Sequence, residues 1–191
     1  MFKPKTRVRA LAVTGMAAVT VAVGTVTYQA SAAETAAPAA SDARAVAVPL
    51  IPAAIRPPSG SRPIGAYVVV TGTQTYTCGD NGAWGTSSIP EAQLIGTGGR
   101  IHHFAGPSWQ SLRDGSLVTA SRVNGVDRAG TIQELLLKVQ THQGSGILDK
   151  ADYINRLLTS GGVAPARSCE PTTTVAVPYK AVYVFWDAPA A

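Results

Sequence analysis

The densest group of side chains that could do chemistry lies between positions 102 and 116. The sequence reads HHFAGPSW from 102 to 109 and DGS from 114 to 116. A hydrolase would use Ser116 or Ser108 as nucleophile and His103 as general base, with Asp114 orienting the imidazole. No G-x-S-x-G nucleophile elbow accompanies these residues. Because Asp-Gly is a strong hairpin-turn pattern, a turn is the competing interpretation of 114–116.

A metal or cofactor site is the second possibility. His102, His103 and His142 are the candidate metal ligands, since neutral imidazole is the commonest one in proteins. Adjacent residues of a strand point to opposite faces, however, so His102 and His103 could not readily chelate one ion there. The segment GTGGRI at 96–101 lacks the third glycine of a dinucleotide-binding G-x-G-x-x-G pattern. We therefore predict no metal and no cofactor.

Ligand binding through aromatic side chains is the third possibility. Trp109 follows Gly-Pro-Ser, so we expect it to be exposed and able to stack on a flat ligand, with His103 beside it. We expect Tyr76, Tyr183 and Phe185 to be core residues instead.

Strand patterns fill most of the chain after residue 64 and would position these side chains. Residues 66–78 are rich in β-branched and aromatic residues, with Gly72 indicating a bulge, and residues 175–186 alternate with period two. Shorter candidate strands and turn dipeptides lie between them: strands at 93–95, 100–104, 117–123 and 132–141, and turns at 81–82, 98–99, 114–115, 124–125 and 161–162. The pattern predicts an all-β fold, an antiparallel sandwich or barrel with at most one or two short helices.

Two stretches fit this class less well. Residues 131–139 contain good helix formers, although we assign them to a strand. Residues 149–158 begin with Asp149, a candidate helix N-cap, and fit a strand or a short helix equally.

Residues 1–32 have the three parts of a secretory signal peptide. Four basic residues among the first nine precede an uncharged stretch from 10 to 29, and Ala-Ser-Ala at 30–32 forms the cleavage site. The alternative is an uncleaved membrane anchor, because the stretch has about the minimum length that spans a bilayer. Removing four of the 16 Lys and Arg leaves 12 against 11 Asp and Glu, a net charge of +1 instead of +5. We therefore expect no nucleic-acid partner, and no membrane association after cleavage.

The composition of the mature chain changes once along the sequence. We predict that residues 33–47 form a disordered Ala- and Pro-rich spacer and that residues 48–191 form a single β-rich domain. Its two cysteines, Cys78 and Cys169, are expected to form a disulfide, because the protein would be exported to an oxidising compartment. Free thiols and half a zinc site are the alternatives, and no C-x₂₋₄-C pair supports the latter.

Several motifs in register carry a family resemblance: YTC at 76–78, Trp84, PEAxL at 90–94, HFAGPSW at 103–109, DGS at 114–116, GGVAP at 161–165, Cys169 and PYKAVY at 178–183. Over roughly residues 48–187 the chain resembles the family known as domain of unknown function 3455, secreted proteins of bacteria and fungi. The resemblance implies that Cys78 and Cys169 are the paired cysteines and that His103 is the motif histidine. It implies no reaction, substrate or cofactor. Glu134 departs from the family pattern, where a large apolar residue or Trp is expected.

Two classes of function remain open from the sequence. The first is a secreted, non-enzymatic β-domain, extracellular or associated with the cell wall, that binds a wall polymer or a small ligand through Trp109 and His103. The second is a secreted hydrolase or metal-assisted enzyme with a site around His103, Asp114 and Ser116.

Overall fold

Residues 46–190 are described by a computed structural model, in which the chain forms a closed, eight-stranded antiparallel barrel. Each strand pairs with its neighbours in sequence, and the first strand pairs with the last. The strands are β1 Arg62–Thr77, β2 Ile89–Gly96, β3 Gly99–Phe104, β4 Ser108–Ser111, β5 Leu117–Val126, β6 Glu134–Gln143, β7 Tyr153–Gly161 and β8 Thr174–Asp187. A single 3-10 turn, Ala53–Ile55, precedes them in the described part of the chain. The predicted all-β class is confirmed, and of its two architectures the chain adopts the barrel.

Alternation along the strands separates an inner face from an outer face. In β8, Tyr179, Ala181, Tyr183 and Phe185 point inward and belong to the main apolar core, which fills the barrel. The bulge predicted at Gly72 lies within a register shift between Val68 and Thr73 in the pairing with β8, and a second shift falls between Val69 and Thr71 in the pairing with β2. These shifts let a sixteen-residue strand curve around the barrel.

The barrel has two ends that matter for the site. One end, which we call the mouth end, is formed by the connections 78–88, 105–107, 127–133 and 162–173. The other, which we call the base end, is formed by the connections 97–98, 112–116 and 144–152. Because neighbouring strands are antiparallel, successive connections alternate between these ends.

A disulfide joins two connections at the mouth end. Cys78 follows β1, Cys169 lies between β7 and β8, and their Cα atoms are 5.9 Å apart. The predicted disulfide is confirmed.

The segment 48–57, which we call the strap, packs on the outside of the barrel. Ile55 is fully buried there, in a second apolar cluster with Leu136, Leu157, Val184 and Trp186. Asn155 beneath it donates from Nδ2 to the Ile55 carbonyl at 2.8 Å. Its Oδ1 accepts from Trp186 Nε1 at 3.0 Å, so that this buried amide is satisfied on both sides.

Most predicted strands are confirmed, including the one at 131–139, which the structure gives as β6. The stretch 149–158 is a turn followed by β7, since strand structure begins at Tyr153. Two predictions were wrong or incomplete. The dipeptide 124–125 is not a turn but lies inside β5, where the register shifts between Arg122 and Asn124. No strand was predicted at Ser108–Ser111, which forms β4.

Glu134, which departs from the family pattern, begins β6 and is buried. Its Oε1 accepts from the Leu158 backbone N–H at 2.8 Å and from Arg128 Nη1 at 3.2 Å. At this position the family pattern expects apolar contact. The Glu134 carboxylate instead holds the backbone at the bulged end of β7, where Leu158 has a φ of 49°.

The predicted signal peptide and most of the spacer lie outside the described residues. Within residues 46–190, no helix is long and apolar enough to cross a bilayer.

Candidate functional site

His103 lies on the inner face of β3, with only 2% of its surface exposed. Its ring nitrogen Nδ1 donates to the Ser108 carbonyl at 2.8 Å, across the tight β3–β4 connection. The preceding His102 points outward and contacts Glu91, with 2.6 Å between Nε2 and Oε1. The two adjacent histidines thus occupy opposite faces, as predicted.

Trp109 lies directly opposite His103 in the β3–β4 register. The two rings stack with centroids 4.3 Å apart and planes 4° from parallel, and Tyr183 meets both edge-on. The expectation that Trp109 is exposed is wrong, because β4 turns its indole into the barrel and leaves 1% of the residue exposed.

Burial lowers the pKa of His103 from 6.5 to about 3. The hydrogen bond to the Ser108 carbonyl opposes this shift, and the nearby charges of Arg156 and His102 add to it. The ring is therefore neutral at physiological pH, with the proton on Nδ1 and an acceptor lone pair on Nε2. Because a general base works best with a pKa near the working pH, His103 is a poor base.

Asp114 and Ser116 lie at the base end of the barrel, in the connection between β4 and β5. Ser116 Oγ donates to Asp114 Oδ1 at 2.6 Å, and this bond is the main reason why the pKa of Asp114 falls to about 2. The backbone N–H groups of Ile147 and Leu148 donate to the same pair of side chains. The pair thus joins two connections of the base end, and the structure does not bring it together with His103.

The remaining predicted nucleophile and metal ligand have backbone partners. Ser108 Oγ donates to the Ala105 carbonyl at 2.9 Å, and His142 Nε2 donates to the Ala151 carbonyl at 2.8 Å. Among residues 46–190, the His103 side chain forms no hydrogen bond with a Ser, Asp or Glu side chain. The same residues contain no group of three His, Cys, Asp or Glu side chains that could hold a metal ion.

A cavity of about 350 Å³ opens at the mouth end, directly above the stacked rings. This volume is within the lower part of the range typical of small-molecule sites. Its apolar wall consists of Ile89, Pro90, Pro107, Trp109, Leu135, Leu137 and Tyr183, and its polar side chains are Gln74, Ser88, His103 and Arg156. The site is thus a mostly apolar pocket with a few convergent polar groups.

Two polar atoms in this lining are buried and have no hydrogen-bond partner. They are Gln74 Nε2 and Trp109 Nε1, two of four such side-chain atoms in the described part of the chain; the others belong to Trp84 and Thr159. The other end of the Gln74 amide is engaged, because Oε1 accepts from Ser88 Oγ at 2.5 Å. Both orphan atoms are buried N–H donors of residues that line the same cavity.

Gln74 and Arg156 were missed by the sequence analysis. Gln74 lies two residues before Tyr76 in β1, so the period of two could have placed it inside. Arg156 lies in the stretch that fitted strand and helix equally, and no inward direction could be assigned to it.

No curated protein and no solved structure matches the chain. A family model does match residues 95–187, from the end of β2 to the end of β8. This segment includes His103, Trp109, Arg156 and Cys169, whereas the motifs at 76–94 that contribute to the resemblance lie before it. Over residues 95–187 the chain is therefore similar to the family described as Protein of unknown function (DUF3455), which supports the resemblance noted in its sequence.

Proposed function

We propose that this protein is an exported, non-enzymatic binding domain that holds a small organic ligand in the cavity at the mouth end of the barrel. The observation that carries the proposal is the pair of buried, unpartnered donors, Gln74 Nε2 and Trp109 Nε1, in one cavity wall. Leaving a buried N–H unpaired costs about 1–3 kcal/mol. A ligand with an acceptor at this position would recover that free energy.

The shape of the site favours a small molecule over the face of a wall polymer. The aromatic ring of Trp109 is inside the barrel, and it borders a cavity of about 350 Å³. Stacking on an extended polysaccharide would require an exposed ring. We therefore propose a ligand that enters the barrel whole.

The non-enzymatic part of the proposal rests on the chemistry of His103. A hydrolase would need a hydroxyl nucleophile in contact with an imidazole that can accept its proton near neutral pH. The Ser88 and Ser108 hydroxyls donate elsewhere, to Gln74 Oε1 and to the Ala105 carbonyl. Binding therefore accounts for this arrangement better than acid–base catalysis does.

Export is proposed from the basic, apolar and A-x-A sequence of residues 1–32. The disulfide between Cys78 and Cys169 supports it, because such bonds persist in oxidising compartments. The location of the protein in a cell fractionation experiment would test this part separately.

Tryptophan indole signals in an ¹⁵N-labelled sample test the binding proposal. The chain has three tryptophans, and the indole N–H of Trp186 is held by Asn155 outside the barrel, so it serves as an internal control. Mixtures from a library of neutral, anionic and cationic fragments are titrated into the protein. We expect saturable shifts of the Trp109 signal and an unchanged Trp186 signal. A library that moves no signal, or moves Trp84 alone, would refute the proposed site.

A further inference from the structure

The inference deepens the proposed function and rests on it. We infer that the ligand is an organic monoanion, most simply a carboxylate on a flat apolar body, whose charge is bound by Arg156. Three observations support this: the direction of Arg156, the lack of a protein counter-charge, and the unpaired donors among the residues that line the same cavity.

Arg156 enters the barrel from β7. Ile154, two residues earlier on the same face, belongs to the inner core, whereas Asn155 lies under the strap on the outside. The register places Arg156 between Leu135 of β6 and Tyr183 of β8, both of which line the cavity. Arg156 and His103 line the same cavity, and the charge of Arg156 contributes to the lowered pKa of His103.

Arg156 has no carboxylate partner within 4.0 Å among residues 46–190. Its Nε donates to the Gln133 carbonyl at 3.1 Å, and no described side chain or carbonyl accepts from its two terminal nitrogens. Glu134, in the neighbouring strand, binds Arg128 and the Leu158 N–H and forms no ion pair with Arg156. A half-buried guanidinium in an apolar wall is therefore left without a counter-charge.

The other polar atoms of the cavity complete a site for an anion. Gln74 Nε2 and Trp109 Nε1 are donors without acceptors, and a guanidinium offers a planar fork that matches a carboxylate. No second cationic side chain lines the cavity. One fixed positive charge with several donors suits a single negative charge, and the walls of Trp109, Tyr183, Leu135 and Leu137 suit an apolar body.

Benzoate and benzamide provide a matched pair of probes, since they share a shape and differ in charge. Their dissociation constants are measured from the Trp109 indole signal for the wild type, Arg156→Gln and Arg167→Gln. Arg167 is exposed in the mouth-end connection 162–173 and does not line the cavity, so its variant removes the same charge without altering the site. Arg156→Lys keeps the charge without the fork and serves as a second variant if Arg156→Gln is poorly folded by circular dichroism.

We expect benzoate to bind the wild type about tenfold or more tightly than benzamide, as charged hydrogen bonds typically provide. Arg156→Gln should abolish this preference, Arg156→Lys should retain part of it, and Arg167→Gln should retain it fully. Equal affinities in the wild type, or a preference that survives Arg156→Gln, would overturn the inference.

The fragment library distinguishes failure of this inference from failure of the proposed function. If only neutral or cationic fragments move the Trp109 signal, the cavity binds ligands and the anionic class is wrong. If no fragment moves it, the binding function and the inference fall together.

Discussion

The imidazole of His103 and the indole of Trp109 stack at 4.3 Å across the β3–β4 pair, with Tyr183 at the edge of both rings. The tight connection at 105–107 places the two residues directly opposite each other, and the Ser108 carbonyl fixes the tautomer of the imidazole. A neutral ring that can neither rotate freely nor gain a proton near neutral pH is a rigid floor for the cavity. Several stability measurements follow from this arrangement and from the contacts around it.

The first prediction concerns the pH dependence of folding. The pKa of His103 is about 3 in the folded chain, against 6.5 without the burial. Between these values the unfolded chain binds a proton that the folded chain does not, so stability falls as the pH falls from 6.5 towards 3. From pH 7 to pH 4.5 the loss from His103 should be about 2 kcal/mol in the free energy of unfolding.

Urea unfolding at these two pH values measures this loss. His103→Gln should lose less stability than the wild type over the interval, whatever its absolute stability. His102→Gln, on the outer face of the same strand, is the matched control and should leave the His103 contribution in place. Asp114 does not interfere, since its pKa falls from 3.8 to about 2 and its contribution is lost only below pH 4. Parallel curves for wild type and His103→Gln would contradict the buried, neutral histidine.

The second prediction concerns the disulfide. Cys78 and Cys169 are 91 positions apart, and in the chain-entropy model closing such a loop contributes about 4–5 kcal/mol. The double variant Cys78→Ser, Cys169→Ser should lose stability on this scale in urea unfolding. Reducing agent should destabilise the wild type to a similar degree and leave the double variant unchanged. If alkylation labels both thiols of the native protein without reduction, the bond is absent.

The third prediction compares two glutamates. Glu134→Ala leaves the Leu158 N–H and the Arg128 guanidinium without their buried acceptor, which should cost about 1–3 kcal/mol. Glu91→Ala removes an exposed partner of His102 from a neighbouring part of the barrel, and its cost should be within about 1 kcal/mol. Thermal unfolding of the two variants side by side checks this ranking. Equal effects would show that Glu134 does not fix the end of β7.

The fourth prediction concerns the strap. Ile55 is fully buried against the outer apolar cluster, so Ile55→Ala should lower the free energy of unfolding by about 2–5 kcal/mol. Leu50 belongs to the same segment but is 91% exposed, and Leu50→Ala should change stability by less than about 0.5 kcal/mol. Chemical unfolding of both variants is the measurement. If the strap does not pack on the barrel in solution, the two substitutions should have equally small effects on the free energy of unfolding.

The fold class could be predicted because β1 is dense in β-branched and aromatic residues and the alternation in β8 is long. β4 was not predicted because its four residues, which follow Gly106-Pro107, are too few to show a period. The same turn-like sequence led to the wrong prediction that Trp109 is exposed. The dipeptide 124–125 has the composition of a turn, yet pairing with β6 continues through it. Local composition cannot show when tertiary pairing overrides a turn preference.

The candidate site was predictable only in part. His103 and Trp109 could be proposed from their chemistry and their proximity in sequence. Asp114 and Ser116 were grouped with them on the same ground, although the short strand between carries them to the other end of the barrel. Gln74 and Arg156 reach the cavity from strands far away in sequence, and only the register of the closed barrel reveals that they meet.

Pairing of β1 with β8 means that the sheet closes with the last of the eight barrel strands to be synthesised. Until Tyr67 in β1 pairs with Tyr183 in β8, the edges of β1 and β7 have no hydrogen-bond partners. A nascent chain that stops short of residue 174 can therefore hold neither a sealed core nor a finished cavity. The barrel must therefore acquire its native state as a whole, once β8 has been made, through contacts between its first and last strands.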